Sequence, residues 1–171
     1  MPTLQIRHLA NSLFCTLLLS APLVHAQEPA DEEDKEWREV ALQLPEAPKT
    51  ENLLNFYKSN SQSFAIDTKS LLVASDGTIR YTLVATSEGG AKNISYEGLR
   101  CQSYEVKLFA FGRPDGTWSR SRRNQWDTIS STGANKQHST LFSDYFCEGR
   151  TIAGKVNVLL DKLRGKKMSY Y

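Results

Sequence analysis

Apolar and polar residues alternate with a period of two through the middle of the chain, a pattern typical of β-strands that bury one face. Residues 78–86 show it most clearly, because every second residue from 79 to 85 is apolar. Residues 71–73 form a preceding apolar run. The intervening sequence Ser-Asp-Gly at 75–77 is typical of a hairpin turn, since its glycine accommodates a positive φ. The pattern therefore predicts a β-hairpin that turns at Asp76.

The longest β-like segment covers residues 93–112. Gly98 interrupts the alternation of the residues before it, so we predict a bulge or a break between residues 98 and 103. After this point the alternation resumes, with Tyr104, Val106, Leu108 and Ala110 on one face. Shorter strands are predicted at residues 40–44, 53–57, 64–66 and 117–119.

Two later segments repeat apolar residues at helical spacing. The first covers residues 139–147 and has Gly149 after it as a stop. The second begins at Thr151, which we expect to be an N-cap, and carries an apolar stripe at Ile152, Val156, Leu159, Leu160 and Leu163. Two C-terminal helices are therefore predicted.

Strands in the middle of a chain followed by helices at its end indicate an α+β fold. We predict an antiparallel sheet of five to seven short strands with one or two C-terminal helices packed on it. The length of 171 residues suffices for one ordinary hydrophobic core. We expect a single α+β domain at residues 37–165 and a basic, aromatic tail at residues 166–171.

Residues 1–26 have the pattern of a secretory signal peptide. Arg7 precedes an apolar stretch, and Val24 and Ala26 provide small residues where signal peptidase requires them. We predict cleavage after Ala26 and a periplasmic location. An uncleaved membrane anchor is the alternative, but the apolar run is shorter than the roughly 20 residues that a transmembrane helix needs. No transmembrane span is therefore predicted.

Charge is distributed unevenly along the chain. Residues 27–51 contain nine acidic and three basic residues, whereas residues 52–171 contain ten acidic and seventeen basic residues. Residues 27–36 combine dense acidic charge with no apolar period, so we predict an acidic disordered arm there. The remainder of the predicted mature protein is basic.

Cys15 lies within the predicted signal peptide, which leaves Cys101 and Cys147 in the mature protein. In an oxidising compartment, two cysteines favour one intramolecular disulfide, with two free thiols or an intermolecular bond as the alternatives. The sequence has no Cys-x-x-Cys motif, so a redox-active dithiol is not indicated.

Residues suited to catalysis or metal binding are few. His138 is the single histidine after residue 26, and with two cysteines it does not make an ordinary zinc site. It could join Ser139 and Asp144 as a Ser-His-Asp set, but no Gly-x-Ser-x-Gly motif occurs, and we expect a surface or capping residue. For Glu97 and Arg100 we favour a salt bridge at a sheet edge over a ligand-binding pair. We predict no catalytic, metal or cofactor site.

Basic and aromatic residues alternate between residues 113 and 126. In an exported protein this composition favours an anionic envelope component, namely a polysaccharide, a lipid phosphate or an acidic peptide, over nucleic acid. For the segment itself we favour a solvated basic surface, with binding of such an anion as the alternative. The candidate anion-binding residues are Arg113, Arg120, Arg122, Arg123, Trp118 and Trp126.

Several short motifs resemble those of the cryptic-neisserial-protein-like family of exported proteins from Gram-negative bacteria. The motifs are Trp37, Asp76-Gly77-Thr78-Ile79-Arg80-Tyr81, Tyr96-Glu97-Gly98-Leu99-Arg100-Cys101, Ala110-Phe111-Gly112-Arg113, the pair Trp118 and Trp126, and Asp144-Tyr145-Phe146-Cys147. The resemblance covers about residues 37–163. It implies export and a domain without an assigned activity, and it transfers no catalytic residue.

These features together predict a non-catalytic periplasmic module that binds or scaffolds an envelope component. The alternative is an envelope hydrolase whose active site has no familiar motif.

Overall fold

The computed structural model describes residues 37–132 and 136–165, and seven strands in this part form one antiparallel sheet. Six strands pair in chain order: β1 Leu53–Lys58, β2 Gln62–Val73, β3 Ile79–Ser87, β4 Lys92–Arg100, β5 Glu105–Gly112 and β6 Trp118–Arg120. The seventh, β7 Asp127–Thr128, also pairs with β5. One 3₁₀ turn, Thr50–Asn52, leads into β1.

The predicted hairpin at Asp76 joins β2 to β3. Gly77 has a φ of 75°, and the Asp76 carboxylate accepts hydrogen bonds from the backbone and the hydroxyl of Thr78. The predicted face of β3 is buried, because Ile79 and Tyr81 have no solvent exposure. The local turn chemistry thus agrees with the alternation of the flanking strands.

Residues 93–112 form a hairpin. β4 continues through Gly98 to Arg100, the chain turns at residues 101–104, and β5 returns alongside it. Tyr104 has a φ of 60° and closes the turn. The β4–β5 register shifts between Tyr96 and Glu97. The predicted interruption between residues 98 and 103 is confirmed as the turn that begins at Cys101, whereas Gly98 itself stays in the ladder.

Helix α1, Lys136–Thr140, continues into a π-helical segment, Leu141–Phe146. A two-stranded hairpin follows, formed by β8 Cys147–Glu148 and β9 Thr151–Ile152, and then α2, Val156–Leu163. The prediction of Thr151 as an N-cap was wrong. Gly149, with a φ of 61°, reverses the chain so tightly that the β-branched pair at 151–152 forms a strand.

The helical segments cover one face of the sheet, which we call the helix face. Its buried core includes Ile66, Ile79, Tyr81, Leu99, Leu141, Phe146 and Leu159. Cys101 and Cys147 are buried in this core and form a disulfide bond with a Cα–Cα distance of 5.7 Å. The predicted α+β fold, an antiparallel sheet with C-terminal helices, is confirmed.

The opposite face, which we call the arm face, is contacted by an extended segment of residues 37–49. The strand predicted at residues 40–44 was wrong, because this segment joins neither described sheet. It crosses a sheet face, where no strand edge offers backbone partners, and is held through side chains instead. Leu42 and Leu44 pack against a smaller cluster formed by Tyr96, Phe109 and Ala110.

The predicted signal peptide, the acidic arm and the tail at residues 166–171 lie outside the described residues. Within the described part, none of the helices is long and apolar enough to cross a membrane.

Candidate functional site

Three cations from adjacent strands lie on the arm face. Arg80 and Lys107 both stand opposite Gly98 in the strand register, and Arg100 follows Gly98 by two residues. Side chains two residues apart on one strand share a face, so the three cations project to the same side of the sheet. Arg80 and Lys107 are buried, with relative exposures of 3% and 5%.

Arg80 and Asp76 form a buried ion pair that also holds the extended segment. Arg80 Nη2 lies 2.9 Å from Asp76 Oδ2 and donates a second bond of 2.9 Å to the carbonyl of Val40. The same carboxylate accepts the backbone N–H of Val40 at 2.9 Å. Burial alone would raise the pKa of Asp76, but bonds from Thr78 and Val40 and the Arg80 charge hold this pKa below its usual value.

Two tryptophans contact Arg100. Its guanidinium carbon lies 3.8 Å from the ring centroid of Trp37 and 5.4 Å from that of Trp126. The two indoles meet edge to face at 5.8 Å. Arg100 also bonds Glu105 at 3.1 Å across the hairpin. This arrangement combines cation–π attraction with an ion pair, and it anchors the first described residue of the chain.

Lys107 and Glu39 form a second contact between the sheet and the extended segment. Lys107 Nζ lies 2.7 and 3.0 Å from the two carboxylate oxygens of Glu39. Trp126 Nε1 donates to the same carboxylate at 3.0 Å. Gly98 makes space beneath these groups, since a Cβ there would lie 2.7 Å from the Phe109 ring and 3.0 Å from that of Trp126.

A groove of about 320 Å³ opens between the extended segment and strands β5 and β6. Its charged and polar lining consists of Glu39, Lys107, Arg120, Ser121, Arg123 and Asn124. Arg123 bonds Asp127 at 2.7 Å with both side chains largely exposed. Arg120 has no ion pair within residues 37–132 and 136–165, so its guanidinium remains available to a ligand.

The six candidate anion-binding residues occupy different environments. Arg120 and Arg123 line the groove, whereas Arg113 and Arg122 are exposed without lining it. Trp118 donates its indole N–H to the carbonyl of Pro45 at 2.7 Å, and it packs with Trp126 in the small cluster under the extended segment. Neither indole lines the groove, and both pack against the cluster of Tyr96, Phe109 and Ala110.

Sequence reasoning missed Arg80, Arg100 and Lys107 as members of the same site. The sequence pattern did indicate two of them, because the alternation of β4 and β5 places Arg100 and Lys107 on the face opposite the main core. The sequence did not show that the extended segment covers these cations, because the segment contacts residues that lie 36 to 87 positions away along the chain.

On the helix face, Glu97 of β4 and His138 of α1 form a buried pair at 2.8 Å. Ser95 donates a bond of 2.6 Å to the same carboxylate. The prediction of His138 as a surface or capping residue was wrong, since its side chain is only 14% exposed. The predicted Glu97–Arg100 salt bridge was wrong too, because neighbouring strand positions an odd number apart face opposite sides.

Burial alone would raise the pKa of Glu97, but the charge and hydrogen bond of His138 and the bond from Ser95 hold it below its usual value. Burial alone would lower the pKa of His138, but the Glu97 charge and hydrogen bond raise it. Burial and the Glu97 charge raise the pKa of Tyr81 well above its usual value. The Tyr81 hydroxyl has no hydrogen bond of good geometry to any described residue.

This pair is suited to a structural role. Its two members neutralise each other, and each favours the charged form of the other, so neither is poised as a general base near neutral pH. The Ser-His-Asp set is not assembled: Ser139 donates to the carbonyl of Lys136, and Asp144 accepts from Ser143. Among the described residues, no three His, Cys, Asp or Glu side chains cluster as they would around a metal ion.

Comparison with known proteins gives one family and one relative. The profile of the CNP1-like family matches residues 32–164. Cryptic neisserial protein 1 of Neisseria gonorrhoeae is 24% identical over 143 aligned residues, covering 73% of this chain and 70% of the relative. No solved structure matches. Because the family profile covers most of the sequence, this chain belongs to the CNP1-like family.

Proposed function

We propose that this protein is an exported, periplasmic, non-catalytic module that binds an anionic component of the cell envelope. The observation that carries the proposal is the groove beside the extended segment, which Arg120 and Arg123 line together with the buried Lys107. Export is supported by the disulfide between Cys101 and Cys147, which is typical of proteins in oxidising compartments.

The groove offers groups suited to an oxyanion. Guanidinium groups bind phosphate and carboxylate through paired N–H donors, and Arg120 has all of its donors free of ion pairs within the described part of the chain. The Asn124 side chain adds an amide to the lining. A ligand can displace Asp127 from Arg123 with little loss of free energy, because exposed ion pairs contribute only about 0–1 kcal/mol to stability.

The floor of the groove is already neutralised and rigid. Lys107 is held by Glu39, and Glu39 is held by Trp126. An incoming anion therefore binds the exposed arginines, because Glu39 already balances the charge of the buried lysine. Arg122 lies next to this lining and is exposed, so it increases the local positive charge without lining the groove.

The experiment compares native protein with the variant Arg120→Ala/Arg122→Ala/Arg123→Ala. Sedimentation with phosphatidylglycerol vesicles, an acidic polysaccharide and polyglutamate measures binding at low and at physiological salt. We expect native protein to bind at least one of these anions, added salt to weaken the binding steeply, and the triple variant to bind at least about tenfold more weakly.

The matched control removes the same charge elsewhere, through Lys58→Ala/Lys92→Ala/Lys155→Ala at three exposed lysines. This control is expected to bind almost as well as native protein. Equal losses in both triple variants would show that only net charge matters, and unchanged binding in the arginine variant would contradict the proposal.

A hydrolase was the alternative suggested by the sequence. The most enzyme-like cluster in the described part, Glu97 with His138, is engaged in mutual neutralisation under the helices. Binding without turnover is therefore the function that these residues favour. Release of soluble fragments from the polysaccharide during the binding assay would instead indicate an enzyme.

A further inference from the structure

A second cleft, of about 420 Å³, opens between residues 45–52 and the middle of β2. Its polar lining consists of Glu46, Lys49, Asn52, Asp67, Lys69 and Ser70. None of these residues lines the arginine groove. The cleft is therefore a separate feature of the molecule, and its volume is in the range of small-ligand sites.

A bulge in β2 builds this cleft. The register with β3 shifts between Asp67 and Leu72, which takes the intervening residues out of the ladder. Ser70 Oγ fixes the bulge by donating to the carbonyl of Asp67 at 3.0 Å and accepting the backbone N–H of Thr82 at 2.9 Å. Bulges commonly re-aim side chains next to functional sites, and here the bulge follows directly on Asp67.

Asp67 is a buried carboxylate whose bonding is incomplete. The residue is only 3% exposed, yet its sole side-chain hydrogen bond within the described chain is a 3.3 Å contact from the Lys69 N–H to Oδ1. Oδ2 has no hydrogen-bond partner there and is not among the fully buried atoms, so it is open to the cleft, and neither lysine of the cleft pairs with it. The hydroxyl of Thr82, opposite Asp67 in the register, is buried without a partner. A cationic donor in the cleft would therefore find a free carboxylate oxygen to bind.

The rim carries two lysines and one further carboxylate, Glu46. Lys49 and Lys69 are exposed at the cleft and form no ion pair with any residue of the described part of the chain. A purely anionic ligand would be repelled by Asp67, and a purely cationic one by the two lysines. A ligand that pairs with Asp67 and also with the two lysines carries an ammonium group and a carboxylate on the same small molecule.

We propose that this cleft binds a small zwitterion, a free amino acid or a dipeptide. Its ammonium group bonds Asp67 Oδ2, and its carboxylate lies between the Lys49 and Lys69 ammonium groups. The proposal is independent of the anion-binding groove, because the two sites share no lining residue.

NMR titration of ¹⁵N-labelled protein tests this directly, with alanine and alanyl-alanine as zwitterionic probes. Ethylamine and propionate carry the two charges separately and serve as matched ligand controls. We expect saturable shifts at the amides of Asn52, Lys69 and Ser70 for at least one zwitterion. Ethylamine and propionate should each bind at least about tenfold more weakly, which corresponds to about 1.4 kcal/mol.

Two variants locate the ligand within the cleft. Asp67→Asn keeps the shape and removes the charge, and Lys69→Ala removes an exposed side chain with little expected effect on folding. Each should weaken zwitterion binding at least about tenfold, whereas Lys92→Ala and the triple arginine variant should leave it unchanged. Circular dichroism verifies that each variant is folded, and Lys69→Ala alone decides the question if Asp67→Asn does not fold.

Several outcomes would overturn the proposal. The first is the absence of saturable shifts up to about 10 mM of either zwitterion, because this would exclude a Kd near about 1 mM. The second is binding of propionate or ethylamine as tightly as alanine. Undiminished binding in Lys69→Ala would also contradict it. Loss of anion binding in the arginine variant with retained zwitterion binding would show that the two sites are independent.

Discussion

The ion pair between Glu97 and His138 connects the centre of the sheet to helix α1. Both side chains are largely buried, and their 2.8 Å contact is made between residues 41 positions apart. Removal of one partner from a buried ion pair leaves the other charge uncompensated, which typically costs about 3–5 kcal/mol. Helix α1 has only five residues and makes no long core of its own, so this contact is important for its docking.

The pair makes stability depend on pH. His138 has a raised pKa in the folded state, so its contribution is complete below its ordinary value of 6.5 and is lost as the pH rises through the folded value. Glu97 has a lowered pKa, so its contribution is complete above its ordinary value of 4.5 and is lost as the pH falls through the folded value. The pair therefore contributes most between pH 4.5 and 6.5.

We predict that His138→Gln lowers the free energy of unfolding by about 3 kcal/mol in that window and by less at alkaline pH. Urea unfolding of both proteins from mildly acidic to alkaline pH measures the difference. His138→Gln keeps a hydrogen-bond donor for Glu97, so the change isolates the charge. A difference that does not vary with pH would contradict the assigned ion pair.

Gly98 decides how the arm face packs. Its missing Cβ leaves space for the Phe109 ring and the edge of Trp126, and these two rings meet edge to face at 6.1 Å. An added methyl group must displace a ring, because neither side chain can withdraw without disturbing its contacts to Tyr96 or Glu39.

We predict that Gly98→Ala destabilises the protein by about 1–3 kcal/mol through overpacking. Gly89→Ala is the matched control, since a Cβ there would meet nothing nearer than Ser87 Oγ at 4.0 Å, and it should change stability by less than about 0.5 kcal/mol. Thermal or urea unfolding measures both. Partial recovery in Gly98→Ala/Phe109→Leu would identify the ring as the cause, and equal stability of the two single variants would exclude it.

At the scale of elements, the disulfide joins the β4–β5 turn to the end of the π-helical segment. Cys101 and Cys147 are 46 positions apart, and the bond therefore ties the helical region to the sheet. A loop of this length contributes roughly 4 kcal/mol in the chain-entropy account of disulfide stabilisation.

We predict that Cys101→Ala/Cys147→Ala lowers the free energy of unfolding by about 2–4 kcal/mol. Chemical denaturation measures the loss, and thiol titration of denatured, unreduced native protein should find no free thiol at these positions. Two reactive thiols per chain would show that the bond is absent in the isolated protein. A loss below about 1 kcal/mol would show that the helices dock without it.

At the scale of the whole molecule, the two faces of the sheet have different roles. The helix face holds the main core and the disulfide, and it provides stability. The arm face holds the cations Arg80, Arg100 and Lys107 under an extended segment, with clefts lined by residues 39–42 and by residues 45–52. Both proposed sites therefore depend on the position of the extended segment on the sheet.

Export is a prediction at this scale. We propose that the exported protein begins at Gln27 and that its basic body acts in the periplasm. Mass spectrometry of protein recovered from the periplasm should give the mass of residues 27–171 less two hydrogen atoms for the disulfide. An intact Met1 or acylation of Cys15 would contradict cleavage after Ala26.

Local patterns predicted the elements whose cause is local. The Asp76 hairpin is determined by its glycine and by flanking alternation, and both are visible in a few consecutive residues. The disulfide pairing followed from there being only two cysteines after residue 26. The start of α2 was misplaced, because Thr151 and Ile152 suit a strand as well as a helix, and the turn at Gly149 decided between them.

The sequence by itself determined the phase of β3, the apolar stripe of α2 from Val156 to Leu163, the single disulfide and the basic surplus, because each depends on residue type and short-range spacing. The tertiary structure alone decided the partners of the buried charges. Arg80 meets Val40, Lys107 meets Glu39, and Glu97 meets His138, across separations of about 40 to 68 residues. Such contacts depend on strand register and on where the extended segment crosses the sheet, and a one-residue shift in register would move each side chain to the other face.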